Sequence, residues 1–258
     1  LSNSGSSTGS RSVLTLFAIV EHVRWRVDRV PAWFEGLSVS RRGEQPSGFD
    51  DATIRRWIRS SADEIAANRD FLTQLDAAIG DADHGVNMDR GFSAAVTDLD
   101  ATTGLPPGEL LIRVGSTLIY RVGGAAGPLF GTCLRRAGEV LGDEPTFDAE
   151  SMLKAFRAGL DGIQGLGAAQ EGDKTIVDAY GPALQAFERE LRAGGDAATA
   201  SRKAADAARE GMRATVPMQA RKGRASYLGP RSVGHQDPGA SSTALLFTAL
   251  ARALDGDA

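Results

Sequence analysis

Three aspartates crowd the run LDAAIGDADHG: Asp76, Asp81 and Asp83. Asp76 lies at the end of an apolar-periodic stretch read as a helix, and the other two lie in the glycine-bounded turn after it. Carboxylates at a helix C-terminus oppose its negative dipole end and repel one another, so the arrangement is unfavourable unless a cation joins it. An all-oxygen donor set suits Mg²⁺ or Ca²⁺, and no Cys or second His stands nearby to suggest a transition metal. An EF-hand does not fit, because the glycine comes too early and no glutamate closes the loop. For Asp81 and Asp83 alone a solvated turn is the simpler reading; Asp76 brings the metal reading level with it. A helix starts directly afterwards, so the expectation is a magnesium–phosphate site. Two Mg²⁺ ions would balance three aspartates plus a nucleoside diphosphate, bridging carboxylate and phosphate oxygens.

Other motifs offer anion-binding chemistry. His84 and Asn87 open the helix after the aspartates and either cap it or hydrogen-bond a phosphate. GGAAGP (123–128) lacks the lysine of a Walker loop and reads either as a tight turn or as backbone that a phosphate can approach. GDKT (172–175) places Lys174 and Thr175 at another helix start, as a surface charge and a cap or as ligands. Residues 217–237 make a long connection for a helical bundle, which suggests a structured lid. That stretch carries Arg224, Tyr227, Arg231, His235 and Asp237.

The elements that must position these residues are helical. From residue 51 onward eight helical stretches are expected, at about 51–79, 86–99, 108–121, 128–141, 148–165, 175–193, 196–220 and 238–254, with no strand alternation. Pro107, Pro128 and Pro238 suit first-turn positions. Short connections make neighbours antiparallel. The second, fourth, sixth and eighth stretches then start at one end, where the four glycine-rich connections also meet. Helix starts present unpaired N–H groups and positive dipole ends, so this end should bind anions.

Composition narrows the field. The 258 residues are 42% hydrophobic, 24% charged and 6% aromatic, as in a soluble globular protein. A net charge of −4 argues against nucleic acid as the main partner. The single Cys133 fits a reducing, cytoplasmic setting. No apolar run is long enough for a membrane span, and the 13–20 stretch is too short and lacks a cleavage site for a signal peptide. Residues 1–50 read as a separate extension: a Ser/Gly-rich start, a helical pattern over 13–30, then a break. The bland reading is a loosely attached tail; a partner-binding or membrane-surface helix is the other. Residues 51–258 form the main domain.

LDAAIGDADHG, GGAAGPLFGT, GDKTIVDA and GRASYLGPRSVGHQDPGASS, in this order, resemble the L subunit of dihydroxyacetone kinase across residues 51–256. The resemblance implies an all-α, eight-helix antiparallel up-and-down barrel with a nucleotide–Mg site at one end. It implies two Mg²⁺ ions held by Asp76, Asp81 and Asp83. It implies ADP or ATP held by His84, Gly85, Val86 and Asn87, by Ala125 and Ala126, and by Gly167, Ile176, Arg224, Asp237, Pro238 and Gly239. Two positions depart from the pattern: the family often has Ser at Ala126 and Met at Ile176, so nucleotide binding is expected to be retuned. In one branch a free-standing L subunit keeps ADP as a prosthetic group, rephosphorylated by a phosphohistidine protein (the M subunit). It relays phosphate to dihydroxyacetone on a separate K subunit. In the other, a fused L domain uses ATP. The length leaves no room for a K domain, which favours the first. The substrate-activating histidine belongs to the K partner, so no catalytic residue is assigned here. An ATP-dependent ketose kinase, a non-catalytic nucleotide sensor and a purely structural bundle stay open as alternatives. So does a homodimer.

Overall fold

A computed structural model describes residues 49–256. The readings made for the N-terminal extension lie outside the described residues.

The described chain is helical throughout, apart from one isolated bridge between Phe49 and Phe147. In order come α1 (Asp51–Ala67), α2 (Arg69–Ile79), α3 (His84–Asp100), α4 (Pro107–Arg121), α5 (Ala126–Leu141), α6 (Ala149–Gly167), α7 (Val177–Arg192) and α8 (Ala197–Ala214). A 3-10 segment (Arg224–Ser232) and α9 (Pro238–Asp255) complete it. Each helix packs on its chain neighbours, and α9 packs back on α1 and α8. None of the described helices is long and apolar enough to cross a membrane.

Local chemistry sets the boundaries. Asp50, Asp148, Asp196 and Asp237 each accept a backbone N–H three residues on, starting α1, α6, α8 and α9. Three expectations are corrected. The first stretch breaks in two at Asn68, whose side chain donates to the Glu64 carbonyl and whose φ of −107° leaves the helix. The fourth begins at Ala126, with Pro128 inside the first turn, where a missing N–H has no partner to lose. The seventh stops at Ala214, because Pro217 excludes the helical conformation from the residue before it.

Packing follows residue size. On α4 and α5, Gly115 and Gly131 face each other so closely that a Cβ on either would lie 2.5 Å from the other's carbonyl oxygen. This close approach fixes the α4–α5 hairpin, whose turn is the GGAAGP motif. Alanines 200, 204 and 208 line the buried side of α8 at helical spacing. Elsewhere the core is aromatic: Phe156 stacks edge-on against Trp57, Phe187 and Phe247, tying α6 to α1, α7 and α9. The Tyr180 hydroxyl donates to the Phe156 carbonyl, and the Trp57 indole donates to that of Leu246, so their polar ends are satisfied.

Candidate functional site

α2 delivers Asp76 in its last turn, and Gly80 ends the helix. A Cβ at Gly80 would overlap the Asp76 carboxylate, so only glycine lets the chain pass. Asp76 Oδ2 accepts the N–H groups of Asp83 (2.9 Å) and His84 (3.2 Å), which folds the turn back and starts α3. Ala82 within it has a φ of 63°, a left-handed conformation that a non-glycine residue rarely takes. The result brings carboxylate oxygens of Asp76, Asp81 and Asp83 within 4.8 Å of one another. Asp76 is buried, and Asp81 is paired at 3.0 Å with the Arg224 guanidinium. Hard oxygen donors, converging with one cation among three charges, fit a divalent ion such as Mg²⁺.

The trio opens on a cavity of about 300 Å³. The cavity is bounded by the starts of four helices: His84 of α3, Ala126 of α5, Ile176 before α7 and Pro238 of α9. The expected convergence of alternate helix starts is therefore present. At α5 no side chain caps the first turn, so its amides keep their donors for a ligand. Leu129, Ile163, Ala169 and Ile176 add an apolar surface to the same cavity.

Of the residues singled out by sequence, Asp76, Asp81, Asp83, His84, Ala125 and Ala126 line the cavity. So do Gly167, Ile176, Arg224, Asp237, Pro238 and Gly239. Gly85, Val86 and Asn87 are not among its lining residues. Gly85 packs on the α2 backbone at Arg69, and Val86 is exposed. Asn87 is buried one layer back, against Gly123, with its Oδ1 accepting from Arg90. It supports the Gly123–Gly124 turn from behind.

Charge in the cavity is shaped by burial. Desolvation holds His84 below its ordinary value against the opposing pull of Asp76 and Asp83. Its Nε2 lies 2.7 Å from Ser242 Oγ, which donates to the Pro238 carbonyl. Burial pushes Asp237 up to about 7; Asp178 adds to this, while the Ala240 N–H and Lys174 oppose it.

Lys174 borders the cavity, and it is not the surface charge one reading expected. It is 1% exposed, and its Nζ donates to the carbonyls of Met218 (3.0 Å), Ser232 (2.6 Å) and His235. Asp178 was missed altogether. Its carboxylate accepts the N–H groups of Gly172 (2.6 Å) and Thr175 (2.7 Å) and shapes the turn before α7. The available signal was an acid three residues after Thr175, the spacing of a capping box.

Residues 78–252 match the DAK2 domain. The chain belongs to the DAK2 domain family. It is 42% identical over 200 residues to the ADP-binding subunit DhaL of the PEP-dependent dihydroxyacetone kinase of Escherichia coli K12, covering 78% of this chain and 95% of that one. The ADP-binding subunit DhaL of the PTS-dependent dihydroxyacetone kinase of Lactococcus lactis is 38% identical over 200 residues, again with 78% and 95% coverage. Against the L-erythrulose 1-kinase of Mycolicibacterium smegmatis the identity is 40% over 231 residues, spanning 87% of this chain but 40% of that protein. The fold is that of the crystal structure of the C. freundii dihydroxyacetone kinase, with a TM-score of 0.60 at 24% identity. That match covers 83% of this DAK2 chain and 37% of the larger one.

Proposed function

We propose that this chain is the nucleotide-binding subunit of a dihydroxyacetone kinase. It relays a phosphoryl group through bound ADP, from a phosphohistidine protein of the phosphotransferase system to dihydroxyacetone held on a K subunit. The observation that carries this reading is the convergence of three carboxylates and four helix starts on one cavity. The names of the DhaL relatives, matched over almost their whole length, support it.

Mg²⁺ would be held by Asp76, Asp81 and Asp83, and when bound it neutralises charge between these carboxylates and the phosphate oxygens. Charge balance favours two ions. The amides at the start of α5 and the Arg224 guanidinium bind and orient the phosphates. Ile176, Ile163 and Leu129 offer the apolar contact a purine base needs, and the turn from Asp237 to Gly239 lies beside Ile176, where it meets the ribose. His84 and the Asn87-backed turn hold the phosphate end of the cavity in place. The acceptor is activated on the K subunit that holds it. Transfer here rests on positioning and charge. A cytoplasmic setting fits the free, buried Cys133.

The test is reconstitution. The purified chain, a K subunit and a phosphohistidine donor should phosphorylate dihydroxyacetone, and omitting the chain should stop the reaction. Asp81→Ala should abolish nucleotide retention while the circular dichroism stays helical. Turnover that proceeds without the chain removes the proposal.

A further inference from the structure

The segment between α8 and α9 brings Arg224 and the Asp237 turn to the cavity, yet it contains only a short 3-10 stretch and is kinked at Gly229. Something other than regular secondary structure must hold its shape. Its base is closed by three bonds: the Gly234 N–H to the Val216 carbonyl, the Asp237 N–H to Thr215 Oγ1, and the Ala220 N–H to Ser232 Oγ. Inside this ring sits the Lys174 ammonium, reaching in from the turn before α7.

A lysine ammonium has three hydrogens, and all three are used on backbone carbonyls of this one segment. Met218 lies on its entry limb, and Ser232 and His235 on its exit limb, so the single cation cross-links both. The turn carrying Lys174 is held in its own right. Lys174 adopts a φ of 63° and Asp178 fixes the flanking amides, while the Arg221 N–H of the segment adds one backbone bond to the Asp173 carbonyl. No carboxylate lies within ion-pair distance of Lys174 among the described residues. A fully buried cation is expensive; its hydrogen bonds here all go to the carbonyl cage, and the charge of Asp237 favours it from beyond ion-pair distance.

We propose that Lys174 is a positioning residue: through its carbonyl cage it holds the Arg224 segment in the conformation that binds the nucleotide's phosphates. The inference rests on the proposed nucleotide site. Lys174 acts through Arg224 and touches no phosphate itself. A free-standing surface or core role would leave the affinity for nucleotide unlinked to Arg224.

The experiment is a double-mutant cycle, read by calorimetric titration of ADP in Mg²⁺, with amide hydrogen exchange in parallel. Lys174→Met keeps the stem and removes the ammonium. It should weaken ADP binding tenfold or more and raise exchange across 216–237, while α4, α5 and α6 keep their protection. In an Arg224→Ala background the same change should weaken binding no further than twofold. If Lys174→Met does not fold, Lys174→Arg takes its place. Its planar fork cannot aim three donors at one converging set of carbonyls, so the same pattern is expected. The inference is overturned by binding within twofold of wild type, by an undiminished loss in the Arg224→Ala background, or by loosening spread over all helices. Wild-type protein that binds no ADP would instead refute the proposed nucleotide site.

Discussion

Asp81→Asn should make the ligand-free protein more stable while removing its response to nucleotide. The carboxylate oxygens of Asp76, Asp81 and Asp83 lie within 4.8 Å of one another. Asp81 is exposed enough for a water-like dielectric, in which each such pair repels by roughly 0.9 kcal/mol. Substituting Asn removes the two repulsions that involve Asp81, roughly 2 kcal/mol in all. It also removes the ion pair with Arg224, whose side chains are 64% and 36% exposed. A pair that wet is worth at most about 1 kcal/mol. The net gain of about 1 kcal/mol corresponds to a rise in Tm of roughly 2–4 °C for a domain of this size. Thermal unfolding followed by circular dichroism, after dialysis against EDTA, reads this directly. With Mg²⁺ and ADP at about a hundred times Kd, the wild type should gain about 2.7 kcal/mol, and the variant close to nothing. A ligand-free variant that melts below wild type, or one that keeps the full ligand-induced gain, would refute the reasoning.

Four further outcomes are expected. Asp237 is held at about 7, well above its ordinary value, by burial beside Asp178 and despite Lys174 and the Ala240 amide. The folded state therefore binds the extra proton, and stability contributed by this group is lost as pH rises from about 4 through about 7. Asp237→Asn keeps the α9 cap and should flatten the fall in ligand-free Tm between pH 5 and pH 7, roughly the window set by that shift. Gly131→Ala drives a methyl into the Gly115 carbonyl and should lower stability by about 1–3 kcal/mol, seen as a lower urea midpoint. Cys133 is buried with its thiol pushed up to about 12, so the native protein should resist a thiol reagent that labels it fully in guanidinium. Gly80→Ala displaces the Asp76 carboxylate, and titration calorimetry should show nucleotide affinity falling at least tenfold with helicity retained.

The all-helical class was legible because apolar periodicity is local, and the meeting of four helix starts was legible because short loops leave few ways to connect antiparallel neighbours. The break at Asn68 was not. An asparagine inside an apolar-periodic run is compatible with continuing the helix, and only its bonds to the preceding turn decide against that. The residues after His84 illustrate a different limit. Successive helical positions turn by about 100°. His84 therefore reaches the cavity, while Val86 points to solvent and Gly85 is packed on α2. A motif read as one block does not carry that rotation. Lys174 was misread because its burial depends on carbonyls 44 to 61 residues further along the chain. Such a distance leaves no trace in local spacing. At Ala126 the start of α5 has no side-chain cap, so its first amides keep their donors whatever side chain stands there.

The central claim is that Asp76, Asp81 and Asp83 hold a divalent ion against a nucleotide's phosphates. The measurement closest to it is an anomalous difference map from a crystal grown with Mn²⁺ and ADP. The account predicts manganese density between these three carboxylates, with the diphosphate beside it at the start of α5. Manganese bound elsewhere, or a nucleotide seated in the cavity with no metal on the aspartates, would contradict it.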